Sequence, residues 1–404
     1  MRNKHNITVV ITGGIAAYKV PDFVRSLIKA GADVRVAMTP GAKEFVTTKT
    51  LEVLTKYPVL VEGETYPEAI GHVALADWSD IIVVMPATAN TLASFANGEA
   101  NKEAVSMLMA SHSPILFVPA MNHNMWHKPS TQRNIERLKL DGYTIISPDS
   151  GFLAEGYEGD GRMPAPDAIL QAVWALIAIN EMTDWSKTLA EKKLLISAGG
   201  TAEPLDPVRY LTNRSSGKMG IAIAHVAALL GMDVHLIRTE STLSLPVLPQ
   251  IKQSVVQSAV ELNQKMLAHE AEADVIIMAA AVSDYRIATP SDQKMKKTKE
   301  ANGHLTLDLI ENPDILAGLP KDNHYVVGFA AETQHVLEYA QDKRKRKGVN
   351  LIVANDVSQK EVGFGSDENA VYLVSETGHR LVEQQSKIKI AAAILNEVAQ
   401  QLDN

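Results

Sequence analysis

The chain has 404 residues, 46% hydrophobic and 5% aromatic, with a formal net charge of -8 and no cysteine. That length suits two compact domains with an apolar core in each; the missing cysteine excludes disulfides, thiolate metal sites and cysteine nucleophiles, and the acidic balance argues against a nucleic-acid surface, which depends on phosphate neutralisation. No run approaches the ~20 apolar residues of a membrane span, and MRNKHNITVV turns strand-like too early for a signal peptide, so a soluble cytoplasmic protein is expected.

Short β-branched runs alternate with longer amphipathic stretches through the first half. ITVVITGG is followed by the helix-like AAYKVPDFVRSLIKAG, then DVRVAMT, and later by IIVVMPAT, PILFVPAM and YTIISP. This alternation predicts a parallel α/β sheet, and fully apolar runs such as IIVVM predict strands covered on both faces. After PDAILQAVWALIAINE the polar MTDWSKTLAEKK lacks strand character, and KLLISAGG opens a second series. A domain boundary is expected near residue 188, giving domains 1–188 and 189–404. The second series contains SSGKMGIAIAHVAALLG, DVHLIRT, DVIIMAAAVSDY, YVVGFAAET, HVLEYAQDKRKRKG and NLIVAND, which predict another three-layer α/β/α unit. NAVYLVSE and RLVEQQ read as a late hairpin, and SKIKIAAAILNEVAQQL as a closing amphipathic helix. No fixed-period repeat relates the halves.

Several strand ends carry residues suited to ligands. TGGIAAYK places Gly13, Gly14 and Ile15 where a strand hands over to a helix, a bend with little side-chain bulk where a phosphate would fit or which is only a tight turn. Thr39 and the segment Pro86-Ala87-Thr88-Ala89-Asn90 end the next two parallel strands, at the edge where open α/β sheets collect ligands. His72 precedes an apolar helix-like stretch, and such a histidine is more often a hydrogen-bonded structural residue than a base. Asn122 follows PILFV; it can donate and accept toward a carboxylate, or make an ordinary Asx turn. Residues 151–163, GFLAEGYEGDGRM, form a glycine-rich loop carrying Glu155, Glu158 and Asp160.

Taken together, His72 in GHxxLxxW, PATAN, PAMNxxM and PDSGxLAxGxxGxGRM resemble the flavin-dependent phosphopantothenoylcysteine decarboxylases. AGGTAEPLDPVRYLTNRSSGKMG, AAAVSDYR, KMKK, NPDIL and VGFAAET resemble phosphopantothenate–cysteine ligase, and their fusion in this order is similar to the bacterial bifunctional enzymes of coenzyme A biosynthesis. The resemblance implies a flavodoxin/Rossmann-like N-terminal domain and a Rossmann-like C-terminal one. It implies FMN, with its phosphate near Gly13, Gly14 and Ile15, its ring near Thr88 and Asn90, and further contacts at Thr39 and Ser106. A carboxylate beta to a thiol has no electron sink; oxidising the cysteine side chain to a thioaldehyde supplies one, and flavin can take that hydride. On this reading His72 is the base and Asn122 grips the departing carboxylate.

The loop departs from the family pattern, which presents a cysteine as the final proton donor where this chain has Glu155. Three readings stay open. Glu155 is the acid itself, its pKa raised in a closed apolar site; Tyr157 or a water donates instead; or the reaction stops at the ene-thiol, as in the related peptidyl-cysteine decarboxylases. For the ligase half, the resemblance implies CTP, magnesium and an acyl-cytidylate handled by Asn213. It places CTP contacts at Ser215, Ser216, Gly217, Met278, Ala279, Ala280, Asp284, Lys294, Pro313, Asp314, Ile315, Phe329, Lys343 and Lys347. Ser215 and Ser216 also read as an ordinary N-cap, KMKK as a solvated lysine run, and Asp284 as an acid at a strand's carboxyl edge that meets the nucleotide or its magnesium. Lys343 and Lys347 lie four apart on a probable helix and so share a face. The resemblance further implies a homo-oligomer, a dodecamer of decarboxylase trimers and ligase dimers. The rivals are a dinucleotide oxidoreductase, against which the missing GxGxxG speaks, and a non-catalytic flavin-binding regulatory module.

Overall fold

The computed structural model describes residues 4–182, 187–296, 304–332, 334–356 and 366–403, and divides into two units, the first running to Glu181 and taking in Leu248–Gln250, the second holding the rest. In the first unit, β1 (Asn6–Ile11), β2 (Asp33–Met38), β3 (Leu60–Val61), β4 (Ile81–Ala87), β5 (Ile115–Pro119) and β6 (Thr144–Ile145) form one sheet in the order β3-β2-β1-β4-β5-β6. Every pairing in it is parallel. β4 is buried at all of its positions, which for a strand with alternating side chains means that both sheet faces are covered. Helices Gly71–Trp78 and Glu103–Ala110 pack on each other, as do Ala89–Ala96 and Pro129–Leu140.

The order reverses at β1, whose neighbours β2 and β4 lead the chain away in opposite directions. That reversal opens a crevice at the carboxyl ends of β1 and β4. Thr12 ties the two ends together: its hydroxyl donates to the Pro86 carbonyl (2.6 Å) and accepts from the Thr88 amide (3.1 Å). Residues 151–163 are not the irregular loop that their glycine content suggested. β7 (Asp149–Phe152) and β8 (Glu158–Arg162) pair as an antiparallel hairpin, held to the main sheet's end by the Met121 amide donating to the Gly161 carbonyl (3.0 Å).

In the second unit the chain runs through β9 (Lys193–Ala198), β10 (Ala202–Pro204), β11 (Tyr210–Thr212), β12 (Asp233–Thr239), β13 (Lys252–Val256), β14 (Val275–Met278), β15 (Tyr285–Ile287), β16 (Leu309–Glu311), β17 (Tyr325–Glu332), β18 (Leu351–Asp356), β19 (Glu368–Val374) and β20 (His379–Ser386). Eight of these build the main sheet, β13-β12-β9-β14-β17-β18-β19-β20, while β10 pairs β11 and β15 pairs β16 as small antiparallel ribbons. From β13 to β18 the sheet is parallel, and the last two strands are antiparallel. β9 is the switch strand here, as β1 is in the first unit. The helix Lys218–Leu229 packs against the closing helix Lys387–Leu402, which buries ten of its side chains.

One ionic knot sets the loops of this unit. Asp206, almost fully buried, accepts from the Val208 amide (2.9 Å), the Arg209 amide (2.9 Å) and guanidinium Nε (3.0 Å), and the Met295 amide (3.1 Å). The Arg209 guanidinium and these amides hold the Asp206 carboxyl well below the usual carboxylate range. The same arginine donates to the Met295 carbonyl (2.9 Å), so the segment bearing Lys294 hangs from this pair.

Two outcomes follow from this packing. Phe117 is fully buried, with ring centroids 5.4 Å from Phe95 and 6.1 Å from Tyr143; Phe117→Ala is expected to cost about 3–5 kcal/mol in urea unfolding followed by the first unit's signal. Because the folded Asp206 carboxyl titrates below its unfolded value of about 3.9, its contribution is complete above about pH 4 and fades as the pH falls toward the folded value. Asp206→Asn should therefore lower the second unit's melting temperature at pH 7, with the deficit shrinking in scans carried below about pH 4.

Candidate functional site

The first candidate site lies at the carboxyl edge of β1, β2 and β4. After β1, Gly13 turns so close to the β2 end that an added β-carbon would stand 3.0 Å from the Gly41 backbone, and the 3-10 turn Ile15–Lys19 follows. This leaves a cradle walled by backbone rather than side chains. Thr39, buried, continues β2 by donating its amide to the Ile11 carbonyl (3.0 Å). Thr88 caps the helix Ala89–Ala96, accepting from the Thr91 amide, and Asn90 stands exposed in that helix's first turn. Lys19 adds positive charge, its ammonium pushed below the ordinary lysine value first by burial and then by Arg162 at the hairpin base.

His72 and Ser106 lie on two helices that pack on each other. His72 is the second residue of helix Gly71–Trp78 rather than lying ahead of it, is half-buried, and makes no side-chain hydrogen bond among the described residues. Ser106 lies on Glu103–Ala110, which packs against both the His72 helix and the Asn90 helix; its hydroxyl donates to the Ala100 carbonyl at 3.2 Å.

Asn122 joins the sheet to the hairpin. It caps the short helix His123–Trp126 through its own Oδ1, which accepts from the Asn124 amide (2.9 Å). Its Nδ2 donates to the Glu155 carboxylate (2.8 Å) and to the Tyr157 hydroxyl (2.5 Å). Glu155 is exposed, and the hydrogen bond from Asn122, with one from its own backbone amide, holds its carboxyl below the ordinary glutamate value. This differs from the expectation of a raised carboxyl in an apolar closure. Here the donor amide and free solvent access both favour the charged form.

His123, His127 and Asp160 also gather between this helix and β8. His127 Nε2 and Asp160 Oδ2 lie 2.8 Å apart. His123 Nδ1 accepts from the Asp160 amide (3.1 Å), so its neutral ring carries its proton on Nε2 and has no lone pair to spare for an ion. Metal-ligating histidines instead donate through the second nitrogen. The cluster is a clamp between helix and hairpin.

The second candidate site is a cavity of about 850 Å³ at the carboxyl ends of β9, β14 and β17. It brings together Asn213, Ser215, Ser216, Gly217, Met278, Ala279, Ala280, Asp284, Pro313, Asp314, Ile315, Phe329, Lys343 and Lys347. Gly217 is the N-cap of helix Lys218–Leu229 with a φ of +71°, and an added β-carbon would meet Thr242 Cγ2 at 2.3 Å. The N-cap is Gly217 rather than a serine, which corrects the N-cap reading, and the Ser215 hydroxyl accepts from the Gly217 amide (3.4 Å). Thr242 is itself locked by the buried Arg238, whose Nε donates to its hydroxyl at 3.0 Å.

Asn213 Nδ2 donates to the Val282 carbonyl (3.0 Å), fastening the segment after β11 to the one after β14. Asp284 is exposed and lies six residues beyond the end of β14, just before β15, rather than at the strand's end. The Asn312 amide donates to the Asp284 carbonyl (2.8 Å), setting Asp284 beside Pro313 and Asp314. Lys343 and Lys347 do share a face of helix Val336–Lys347: Lys343 donates to the Phe329 carbonyl (2.9 Å), and Lys347 pairs with Asp314. Burial lowers the Lys343 ammonium; burial alone would raise the Asp314 carboxyl, but Lys347 and the Ala317 amide outweigh it and hold it low.

Lys294 is the exception. It is exposed and does not line the cavity, standing one residue from the Met295 anchor, beyond which residues 297–303 lie outside the described structure. Sequence reasoning missed Thr12, Asp206 and Arg209, whose hydrogen bonds fix the segments around the sites. Thr12 sat in plain view beside Gly13, but only strand adjacency reveals its bridging role.

Comparison with known proteins agrees with this division. A family model described as "Flavoprotein" matches residues 1–178, and one described as "DNA/pantothenate metabolism flavoprotein C-terminal domain" matches residues 189–402. The chain is similar to the coenzyme A biosynthesis bifunctional protein CoaBC of Escherichia coli (strain K12), with 42% identity over 98% of this chain and 97% of that protein. It is also similar to the protein of the same name from Bacillus subtilis (strain 168), with 40% identity over 99% and 98%. Among solved structures, the C-terminal domain of a CoaBC protein is 35% identical, covering 54% of this chain and 99% of that one at a TM-score of 0.46. The chain belongs to the bifunctional coenzyme A biosynthesis family, in which a flavoprotein decarboxylase unit and a ligase unit share one polypeptide.

Proposed function

We propose that the C-terminal unit joins cysteine to 4'-phosphopantothenate with CTP through an acyl-cytidylate, and that the N-terminal unit decarboxylates the resulting phosphopantothenoylcysteine with FMN. The observation that carries this reading is the convergence, on one cavity at the switch strand β9, of every nucleotide residue named from the sequence except Lys294. A triphosphate needs donors and cations: the start of the helix after Gly217, which lines the cavity, supplies the first, and Lys343 and Lys347 the second. The exposed Asp284 carboxylate is the ligand we assign to magnesium carried by CTP. Asn213 orients the acyl-cytidylate, and Lys294 closes over it from the loop that Asp206 and Arg209 anchor.

In the N-terminal unit, the Gly13 cradle, the Thr12 bridge and the nearby Lys19 charge fit the phosphate of FMN. Gly14 and Ile15 complete that cradle, Thr39 and Ser106 flank it, and Thr88 and Asn90 lie toward the ring. Bound FMN supplies a two-electron acceptor for the thiol-bearing carbon. His72 takes the proton released there. Asn122 turns its amide toward the substrate carboxylate, holding it until carbon dioxide leaves. The last proton comes from the hairpin that carries Glu155 and Tyr157. The family resemblance further supports a cytoplasmic homo-oligomer, a dodecamer of decarboxylase trimers and ligase dimers; the partners are small molecules, and nucleic acid has no part. Among the described residues no helix is long and apolar enough to cross a membrane.

The purified protein should be yellow, with an FMN absorbance lost on acid precipitation. It should release pyrophosphate from CTP when phosphopantothenate is present, with sustained turnover and CMP release requiring cysteine; a colourless protein without this release refutes the reading. Gly217→Ala places a β-carbon against Thr242 and an L residue in the left-handed region, a strain of at least about 1 kcal/mol. Its apparent CTP affinity should fall about fivefold or more in a pyrophosphate-release titration, with the flavin spectrum unchanged.

A further inference from the structure

We propose that Tyr157, not Glu155, delivers the proton that converts the decarboxylated ene-thiolate into its reducible form, while Glu155 holds Asn122 in the empty site and yields to the substrate's carboxylate. The inference rests on the reading of the N-terminal unit as the decarboxylase and deepens it.

The proton must arrive on the carbon that has just lost carbon dioxide, and on the reading above Asn122 holds the carboxylate that departs from it. Its amide has two hydrogens, and here one goes to Glu155 Oε1 (2.8 Å) and the other to the Tyr157 oxygen (2.5 Å). The two hairpin residues therefore play different parts. A carboxylate already sits on Asn122 where the substrate's carboxylate has to go, so Glu155 occupies the binding position and must leave it when substrate enters. In that position it accepts a hydrogen bond from Asn122, the role the substrate's carboxylate takes over.

The Tyr157 hydroxyl is an acceptor toward Asn122 only through its oxygen. Among the described residues nothing takes its own hydrogen, which is free to reach the carbon beside Asn122. The tip that carries both residues is closed by the Gly156 amide donating to the Leu153 carbonyl (3.0 Å) and the Leu153 amide donating to the Tyr157 carbonyl (2.9 Å). The phenol is thus presented on a defined turn.

The step balances without a further reagent. The phenol O–H bond breaks and a C–H bond forms at the former α-carbon, the carbon–carbon double bond of the ene-thiolate supplying the electron pair and becoming a carbon–sulfur double bond. The two electrons taken from the thiol carbon earlier in the cycle then return to it as hydride, giving the thiolate. The Asn122 N–H already aimed at the Tyr157 oxygen stabilises the negative charge left there, and water restores the phenol.

The test uses the full-length holoenzyme and phosphopantothenoylcysteine, with products identified by mass and the flavin followed by absorbance. Tyr157→Phe should still release carbon dioxide and leave the flavin reduced, but its product should be the ene-thiol, lighter by two hydrogens than phosphopantetheine, with the product ratio shifted at least about tenfold. Glu155→Gln should still give phosphopantetheine as its product. Phosphopantetheine at the wild-type share from Tyr157→Phe, or ene-thiol from Glu155→Gln, overturns the proposal. Should Tyr157→Phe disturb Asn122 enough to stop carbon dioxide release, fluorotyrosine at position 157 decides. Its lower phenol pKa should move the alkaline limb of the product ratio to lower pH, and an unmoved limb is equally fatal. A wild-type enzyme that binds no flavin or releases no carbon dioxide would instead remove the decarboxylase reading beneath it.

Discussion

Parallel pairing at the centre of each sheet, β1 with β4 and β9 with β14, is the constraint from which both sites follow. Parallel neighbours cannot be joined by a tight turn, so each strand must leave the sheet at its carboxyl edge and return by a crossover. Where successive crossovers diverge, at β1 and again at β9, the departing segments separate and leave a crevice lined by backbone amides and short side chains. Gly13 and Gly217 occupy corresponding places in these two crevices. Each sits where a neighbouring segment comes within contact of the spot a β-carbon would need, so the chain's close approach there shapes the crevice.

The crevices are then finished by different means. In the first unit an antiparallel hairpin is laid against the end of β5, and Asn122 is the joint: one amide group binds the hairpin tip while the side-chain oxygen caps the following helix. Helix and hairpin tip are thereby coupled, since anything that takes the amide of Asn122 also changes what holds Glu155 and Tyr157. In the second unit the finishing pieces are two ribbons and the Asp206–Arg209 pair, whose donors reach across to Met295. Arg209 is exposed but the Asp206 carboxylate is buried, and a buried carboxylate is costly unless its hydrogen-bonding capacity is met. Here it is met largely by backbone, which makes it a fastening for loops.

Much of the architecture was legible because the residues that form it obey a local rule. IIVVMPAT and KLLISAGG read as strands since burial on both faces demands unbroken apolar runs, and both are strands. The late hairpin and the closing helix were equally plain. Two edge strands, Leu60–Val61 and Lys252–Val256, were not foreseen; the first is too short to show any period, and the second is mostly exposed. The hairpin β7–β8 reads as a loop in the sequence, because seven of the residues from 151 to 163 are glycine or acidic and alternation is absent. Its pairing is set by contact with Met121 and the His123 ring, which no local pattern reports.

By itself the sequence determined the two-unit plan, the parallel sheets and the motif residues gathered at their carboxyl edges, since side-chain periodicity and glycine placement are properties of neighbouring residues. Only the tertiary structure decided what those residues do to one another. The charge state of Glu155 depends on an amide 33 residues away, the bridge at Thr12 on a strand 74 residues on, and the anchoring of Lys294 on an aspartate that lies far back along the chain. Hydrogen bonds and electrostatic shifts are fixed by distances of a few ångströms in space, and separation along the chain carries no record of those distances.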